Sequence, residues 1–213
     1  MKFYKTPAII KFLFNKCDWR IPTHEKVIYP TFDDGPQPGL TEFILETLKT
    51  FQAKGTFFCV GENIKRYPKL ATKIIEEGHV IGNHTFNHLS GWKTNDRTYF
   101  ENIDLFEETV RQCEPPLSPA PLFRPPYGQV SGRQSKELKK RGYRIVMWDV
   151  LSYDFVKNLN KQYALTRIKR ASQPGTIVLF HDNYKAEHNI RYLLPNYLNY
   201  FAELNYRFSA LEM

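Results

Sequence analysis

Short apolar, β-branched and aromatic runs alternate along this chain with segments whose apolar residues recur at helical spacing, and that alternation restricts the fold more than any other feature. The extended runs are KVIYPTF, GTFFCVG, HVIGN, PLFRP, YRIVMWDV, GTIVLFHD and YRFSAL. Between them lie TEFILETLKTF, with Thr41 placed to cap its N-terminus, and PKLATKIIEEG, opened by Pro68 and closed by Gly78. RTYFENIDLFEETV, KELKKRG and IRYLLPNYLNYFAEL follow. A βαβα order predicts a parallel sheet covered by helices, because each parallel crossover needs a helix-sized connection. Seven strand candidates in about 190 residues suit a small or irregular α/β barrel, with an open doubly wound sheet as the alternative.

A chain of 213 residues that is 42% hydrophobic and 15% aromatic buries one sizeable core, so one main domain is expected. The formal charge of +8 is spread over short runs such as KELKKRGYR and TRIKRAS, which read as solvated helix faces. No nucleic-acid-binding motif accompanies them. Cys17, Cys59 and Cys113 form neither a CxxC pair nor a disulfide framework, which fits a reducing compartment, and Cys59 reads as a buried strand residue.

Residues 1–24 read as an amphipathic segment, docked on the body formed by residues 25–213 or resting on a membrane surface. Lys11 interrupts its apolar run and no small-residue cleavage site follows, and no run is long enough to span a bilayer. A cytoplasmic location is expected, with peripheral membrane attachment or export as alternatives.

In either architecture, reactive groups gather where strand C-termini run into loops. Asp33 and Asp34 end the first strand in IYPTFDDGP, HTFNH follows the third, RPPYG ends the fourth, Asp149 and Asp154 follow the fifth, and His181-Asp182 end the sixth. Asp-Gly-Pro alone is a turn signal, but this recurrence of ionisable residues along one rim points to an active site. Strand alternation would aim Asp33 and Asp34 in different directions, each free for a different task. His84 and His88 are four residues apart, so one helical turn would bring both imidazoles to one face, within reach of a single cation. Two histidines and a carboxylate describe both a catalytic zinc site and the facial triad of non-haem iron. The remaining aspartate and His181 supply a base and an acid, which favours hydrolysis.

TFDDGP, HTFNH, RPPYG and LFH, in this order, resemble motifs of the polysaccharide deacetylases, the NodB-like metal-dependent carbohydrate esterases. The resemblance runs from Val27 to the C-terminus, roughly nine-tenths of the chain. It implies a distorted, incomplete (β/α) barrel with about seven parallel strands, and removal of acetyl groups from N-acetylated, or in some members O-acetylated, sugars by attack of metal-bound water. Asp34, His84 and His88 match the metal ligands and Asp33 the general base. Zinc is the expected metal, with cobalt, nickel or manganese as alternatives. Arg124 matches the arginine that pairs with the base, and the amide of Tyr127 the oxyanion hole, held on the stiff segment that Pro125 and Pro126 form. His181 matches the general acid, oriented by Asp154. Leu179 is expected to line the acetyl pocket, and Trp148 to wall a sugar ring or else to belong to the core. Pro126 and the Tyr127 ring are further substrate contacts.

The fourth motif departs from the family pattern: in WDVLSYDF, Leu151 replaces an aspartate and Phe155 a tryptophan. Pro30 inside the first strand removes a ladder donor, so that strand is either frayed there or leaves one side unused. His79 reads as structural, and His24 and His188 as surface residues. The expected substrate partner is an acetylated glycan, met by a monomer. A catalytically weak glycan-binding member and a hydrolase of a non-sugar amide are the alternatives.

Overall fold

The computed structural model describes residues 2–113 and 120–211. Eight helices are present among them: α1 (Ala8–Leu13), α2 (Leu40–Thr50), α3 (Gly61–Arg66), α4 (Pro68–Glu76), α5 (Asp96–Arg111), α6 (Gly132–Lys140), α7 (Lys161–Ala171) and α8 (Glu187–Glu203). The strands are β1 (Val27–Asp34), β2 (Thr56–Cys59), β3 (Val80–Asn83), β4 (Leu122–Phe123), β5 (Arg144–Ile145), β6 (Val150–Leu151), β7 (Ile177–His181) and β8 (Arg207–Phe208). Seven strands run in the order β5-β4-β3-β2-β1-β7-β6, all parallel, and β8 pairs separately with the start of β1. β2 and residues 177–180 of β7 are buried on both faces, as expected where helices cover one side and a packed interior the other.

The expected fifth strand is two short ones. β5 and β6 lie only a few residues apart in sequence yet occupy opposite ends of the sheet, so the sheet curls until its edges nearly meet. The result is an incomplete barrel whose seam is residues 146–149. The N-terminal segment covers that seam: Lys5 bridges Val150, Asp18 bridges Val146 and Arg20 bridges Thr176. Asp149 therefore belongs to the seam and not to the reactive rim. It is fully buried, precedes β6 and pairs with Lys11.

Other local expectations also change. Gly39, not Thr41, caps α2: it takes φ 78°, and its N–H donates to the Glu42 carboxylate. Pro68 opens α4 and Gly78 follows its end with φ 77°, while the residues before Pro68 form the separate helix α3. α7 extends the TRIKRAS run back to Lys161. At Pro30, the neighbouring Tyr29 N–H points to β7, where it donates to Thr176. The Pro30 nitrogen thus faces the β2 side, whose pairing begins only at Thr31 with Thr56, and no donor is missed.

The core lies in two layers. Phe32 stacks between Phe57 and Phe180 on the neighbouring strands, with centroids 4.8 and 6.1 Å away, in a cluster with α2 and α8. The barrel interior, on the opposite face, holds Thr31, Asp33, Phe58 and Arg124. All three cysteines are buried and unpaired. His79 is buried and accepts a hydrogen bond from Gly55 N–H, whereas His24 and His188 are exposed. Among the described residues no helix is long and apolar enough to cross a membrane.

Candidate active site

Strand register sets the first pair of groups. Asp33 is level with His181 across β1 and β7, and Thr31 with Leu179 one step below. Residues paired in parallel strands share a face, so all four project into the same interior. Arg124 enters that interior from the end of β4 with no surface exposed. Its Nη1 donates to Asp33 Oδ1 at 2.7 Å and to Thr31 Oγ1 at 2.9 Å. Nη2 and Nε donate to the carbonyls of Met147 and Val146, and the guanidinium lies 4.1 Å over the Phe58 ring.

Alternation would turn Asp34 to the opposite face. Instead Asp34 takes φ 85°, which ends the strand and returns its carboxylate to the cleft that Asp33 faces. Its Oδ1 lies 3.1 Å from His88 Nε2 and 3.6 Å from His84 Nε2, and the three potential ligand atoms are within 4.8 Å of one another. HTFNH is not helical: Thr85 and His88 take φ 62° and 56°, and this bend brings the two rings to 5.0 Å. The convergence expected of a helical turn is reached by a strained loop.

His84 Nδ1 bonds the Arg124 carbonyl at 2.7 Å, which aims Nε2 at Asp34. Asn183 Nδ2 donates to Asp34 Oδ2 at 2.5 Å and Asn63 Nδ2 to the Asp34 carbonyl at 2.8 Å. Oδ1 is buried with no hydrogen-bond partner. Burial raises the Asp34 carboxyl, but His84 and His88 outweigh it and hold the group well below the usual carboxylate range. An ionised carboxylate with an orphaned oxygen between two imidazoles fits a divalent cation.

His181 is held twice by Asp154, through Nδ1 at 2.8 Å and through its backbone N–H at 2.7 Å. Burial lowers this imidazole, but Asp154, with smaller contributions from Asp34 and Asp33, overrides it and raises the group to about 9. Asp154 is itself buried, its carbonyl accepting from Asn189 Nδ2. The Pro126–Gly128 turn closes another side. Tyr127 takes φ 61°, and its ring, 64% exposed, meets His88 edge-on at 4.5 Å. The amides of Gly128 and Gln129 bond the carbonyls of Pro125 and Pro126, whereas the Tyr127 amide has no acceptor among the described residues.

Asp33, Asp34, His84, His88, Tyr127 and His181 line one cleft of about 590 Å³ together with Trp148, Leu151, Phe155 and Leu179. Pro126 is buried beneath the turn and is not among its walls. Trp148 lines the cleft, and its ring packs on Trp19 at 6.4 Å. Thr31, Asn63, Asn183, Tyr184 and Lys185 belong to the site or its support without having been singled out from sequence. A period-of-two reading backwards from Asp33 reaches Thr31, and Asn183 directly follows His181-Asp182. Asn63 has no such signal.

The sequence profile described as polysaccharide deacetylase matches residues 20–146. The chain belongs to the polysaccharide deacetylase family. It is 34% identical over 200 residues to a peptidoglycan-N-acetylglucosamine deacetylase of Bacillus cereus, covering 91% of this chain and 90% of the relative. It is also 34% identical to a chitooligosaccharide deacetylase of Azorhizobium caulinodans, covering 76% and 77%. Other Bacillus peptidoglycan deacetylases are longer, and the chain spans 57% and 61% of two of them. A crystal structure of a peptidoglycan N-acetylglucosamine deacetylase in complex with 4-naphthalen-1-yl-N-oxidanyl-benzamide superimposes with a TM-score of 0.87 at 29% identity, covering 97% and 95% of the two chains. The full-length matches extend over Asp154 and His181, which lie beyond the profile match, so the deacetylase fold includes both halves of the cleft.

Proposed function

We propose that this deacetylase is a metal-dependent hydrolase of N-acetylated glycans containing N-acetylglucosamine, the sugar named in its peptidoglycan-acting relatives. The observation that carries this reading is the cleft itself, where the Asp34–His84–His88 triad opens between an Asp33–Arg124 pair and a His181–Asp154 pair. Asp34, His84 and His88 hold the divalent ion, zinc ahead of cobalt, nickel or manganese. When bound, the ion acidifies water and polarises the acetyl carbonyl.

The protein's own groups do the rest. Asp33, oriented by the hydrogen bond from Arg124, accepts the proton of the attacking water. The unbonded Tyr127 amide receives the carbonyl oxygen as negative charge develops on it, on a segment that two prolines stiffen. His181, kept as imidazolium by Asp154, protonates the departing amine. Leu179 and Leu151, level with each other in β7 and β6, supply an apolar floor for the acetyl methyl, and Trp148 and the Tyr127 ring give faces to a sugar. Catalysis is assigned to residues 25–213, with residues 1–24 closing the seam.

The test is acetate release by metal-loaded protein from N-acetylglucosamine oligomers and peptidoglycan, with acetylated xylan as the ester comparison. Release from the amide substrates at about one metal ion per chain is expected, and Asp33→Asn should retain the metal while losing nearly all turnover. Undiminished release by that variant would remove Asp33 from its role, and no release from any acetylated glycan would overturn the reading.

A further inference from the structure

Helix α1 is built inside out. It contains six residues and none is buried. Lys11 faces the body and pairs with the buried carboxylate of Asp149. Ile9 and Leu13, one helical turn apart, lie on the other side with Phe12 beside them, and these three are 62%, 68% and 72% exposed. Phe3, earlier in the same segment, is also exposed. A helix that packs on a protein core presents the reverse arrangement.

The outward presentation is fixed by the surroundings. Tyr4 is buried, its carbonyl accepting from Leu151 N–H, and Thr6 donates through its N–H to the Asp149 carbonyl and through its hydroxyl to that of Trp148. Five of the large apolar side chains left exposed in the described structure fall within residues 3–13. Exposed Lys2, Lys5 and Lys16 flank them in sequence, and no acidic residue occurs between Lys2 and Lys16.

We propose that this segment is a membrane-contact surface that seats the protein on an anionic phospholipid bilayer. Exposed apolar side chains in a segment whose charged residues are all lysines match the acyl boundary and the phosphate layer of such a surface. A second copy of the chain is the poorer occupant, because a two-fold contact through this patch would set lysines against lysines with no carboxylate between them. The same segment also reaches the cleft wall: Phe3 N–H bonds the Tyr153 hydroxyl, the Tyr4 ring meets Tyr153 at 5.1 Å, and Tyr153 meets Phe155 at 6.0 Å. Bilayer contact would therefore place the mouth of the cleft beside the lipid surface.

Co-sedimentation with vesicles tests this without reference to acetate release. Wild-type protein should partition into phosphatidylcholine vesicles containing phosphatidylglycerol at least about tenfold more strongly than into phosphatidylcholine alone, and salt should weaken the binding. The triple variant Ile9→Glu, Phe12→Glu, Leu13→Glu should lose about tenfold or more of that partitioning, with thermal midpoint and turnover of soluble oligomers unchanged. Replacing Lys2, Lys5 and Lys16 with Glu should abolish the anionic preference. Absence of vesicle binding by wild type, or binding by the triple variant equal to wild type, overturns the proposal. A dimer in light scattering that the triple variant dissolves, without vesicle binding, assigns the patch to a second copy instead.

Discussion

Arg124 carries a permanent charge with none of its surface in water, and Asp33 is its carboxylate partner among the described residues. Removing one member of such a pair leaves the other buried and uncompensated. Arg124→Leu should lower stability by about 3–5 kcal/mol in chemical denaturation, and adding Asp33→Asn should recover part of that loss. His181 offers a pH test. Its imidazole stands at about 9 in the folded protein against an ordinary 6.5, so its protonated form favours folding. That stabilisation is complete below pH 6.5 and is lost as pH rises through about 9. Metal-free protein should lose up to about 3 kcal/mol over that window, and His181→Gln should flatten the decline. Both roles rest on partners far away in sequence, Asp33 with Arg124 and His181 with Asp154; the rim pattern gathered these residues, but only the motif resemblance paired them.

At the scale of elements, short strained segments decide where side chains meet. Left-handed backbone occurs at Asp34 and His88, two members of the candidate metal triad, and at Thr85 and Tyr127 near them. Gly128, with φ 69°, lets the turn approach Trp148, where an added Cβ would stand 2.8 Å from the indole. Gly128→Ala should therefore cost about 1–2 kcal/mol and reduce kcat by displacing the Tyr127 amide, a pairing that thermal denaturation and steady-state kinetics would detect. Helix and strand order was legible in the sequence because apolar periodicity reports burial directly. The HTFNH bend was not, since a spacing of four suits a helical turn and positive φ leaves no signature at Thr or His. The division of YRIVMWDV between two strands was equally hidden, because each half is apolar enough to read as one run.

For the whole molecule, the decisive event is curling of the sheet until β5 and β6 face each other across a seam that residues 4–20 cover. Lys11 reaches Asp149 through that cover. Lys11→Met should leave Asp149 charged and buried, lowering stability by about 2–3 kcal/mol after allowing for the partial exposure of the lysine, and Asp149→Asn in addition should restore most of it. A double-mutant cycle in denaturant measures this. The sequence by itself determined the alternation of strands and helices, the parallel sheet and the rim on which reactive residues collect, because these follow from periodicity and from the geometry of parallel crossovers. It also supplied the residue types of the triad. Only the tertiary structure decided that Asp34 turns back beside Asp33, that Asp149 leaves the rim for the seam, and that α1 shows its apolar face to the outside. Each of these depends on a backbone angle or a partner contributed by a distant part of the chain, and local pattern carries no record of either.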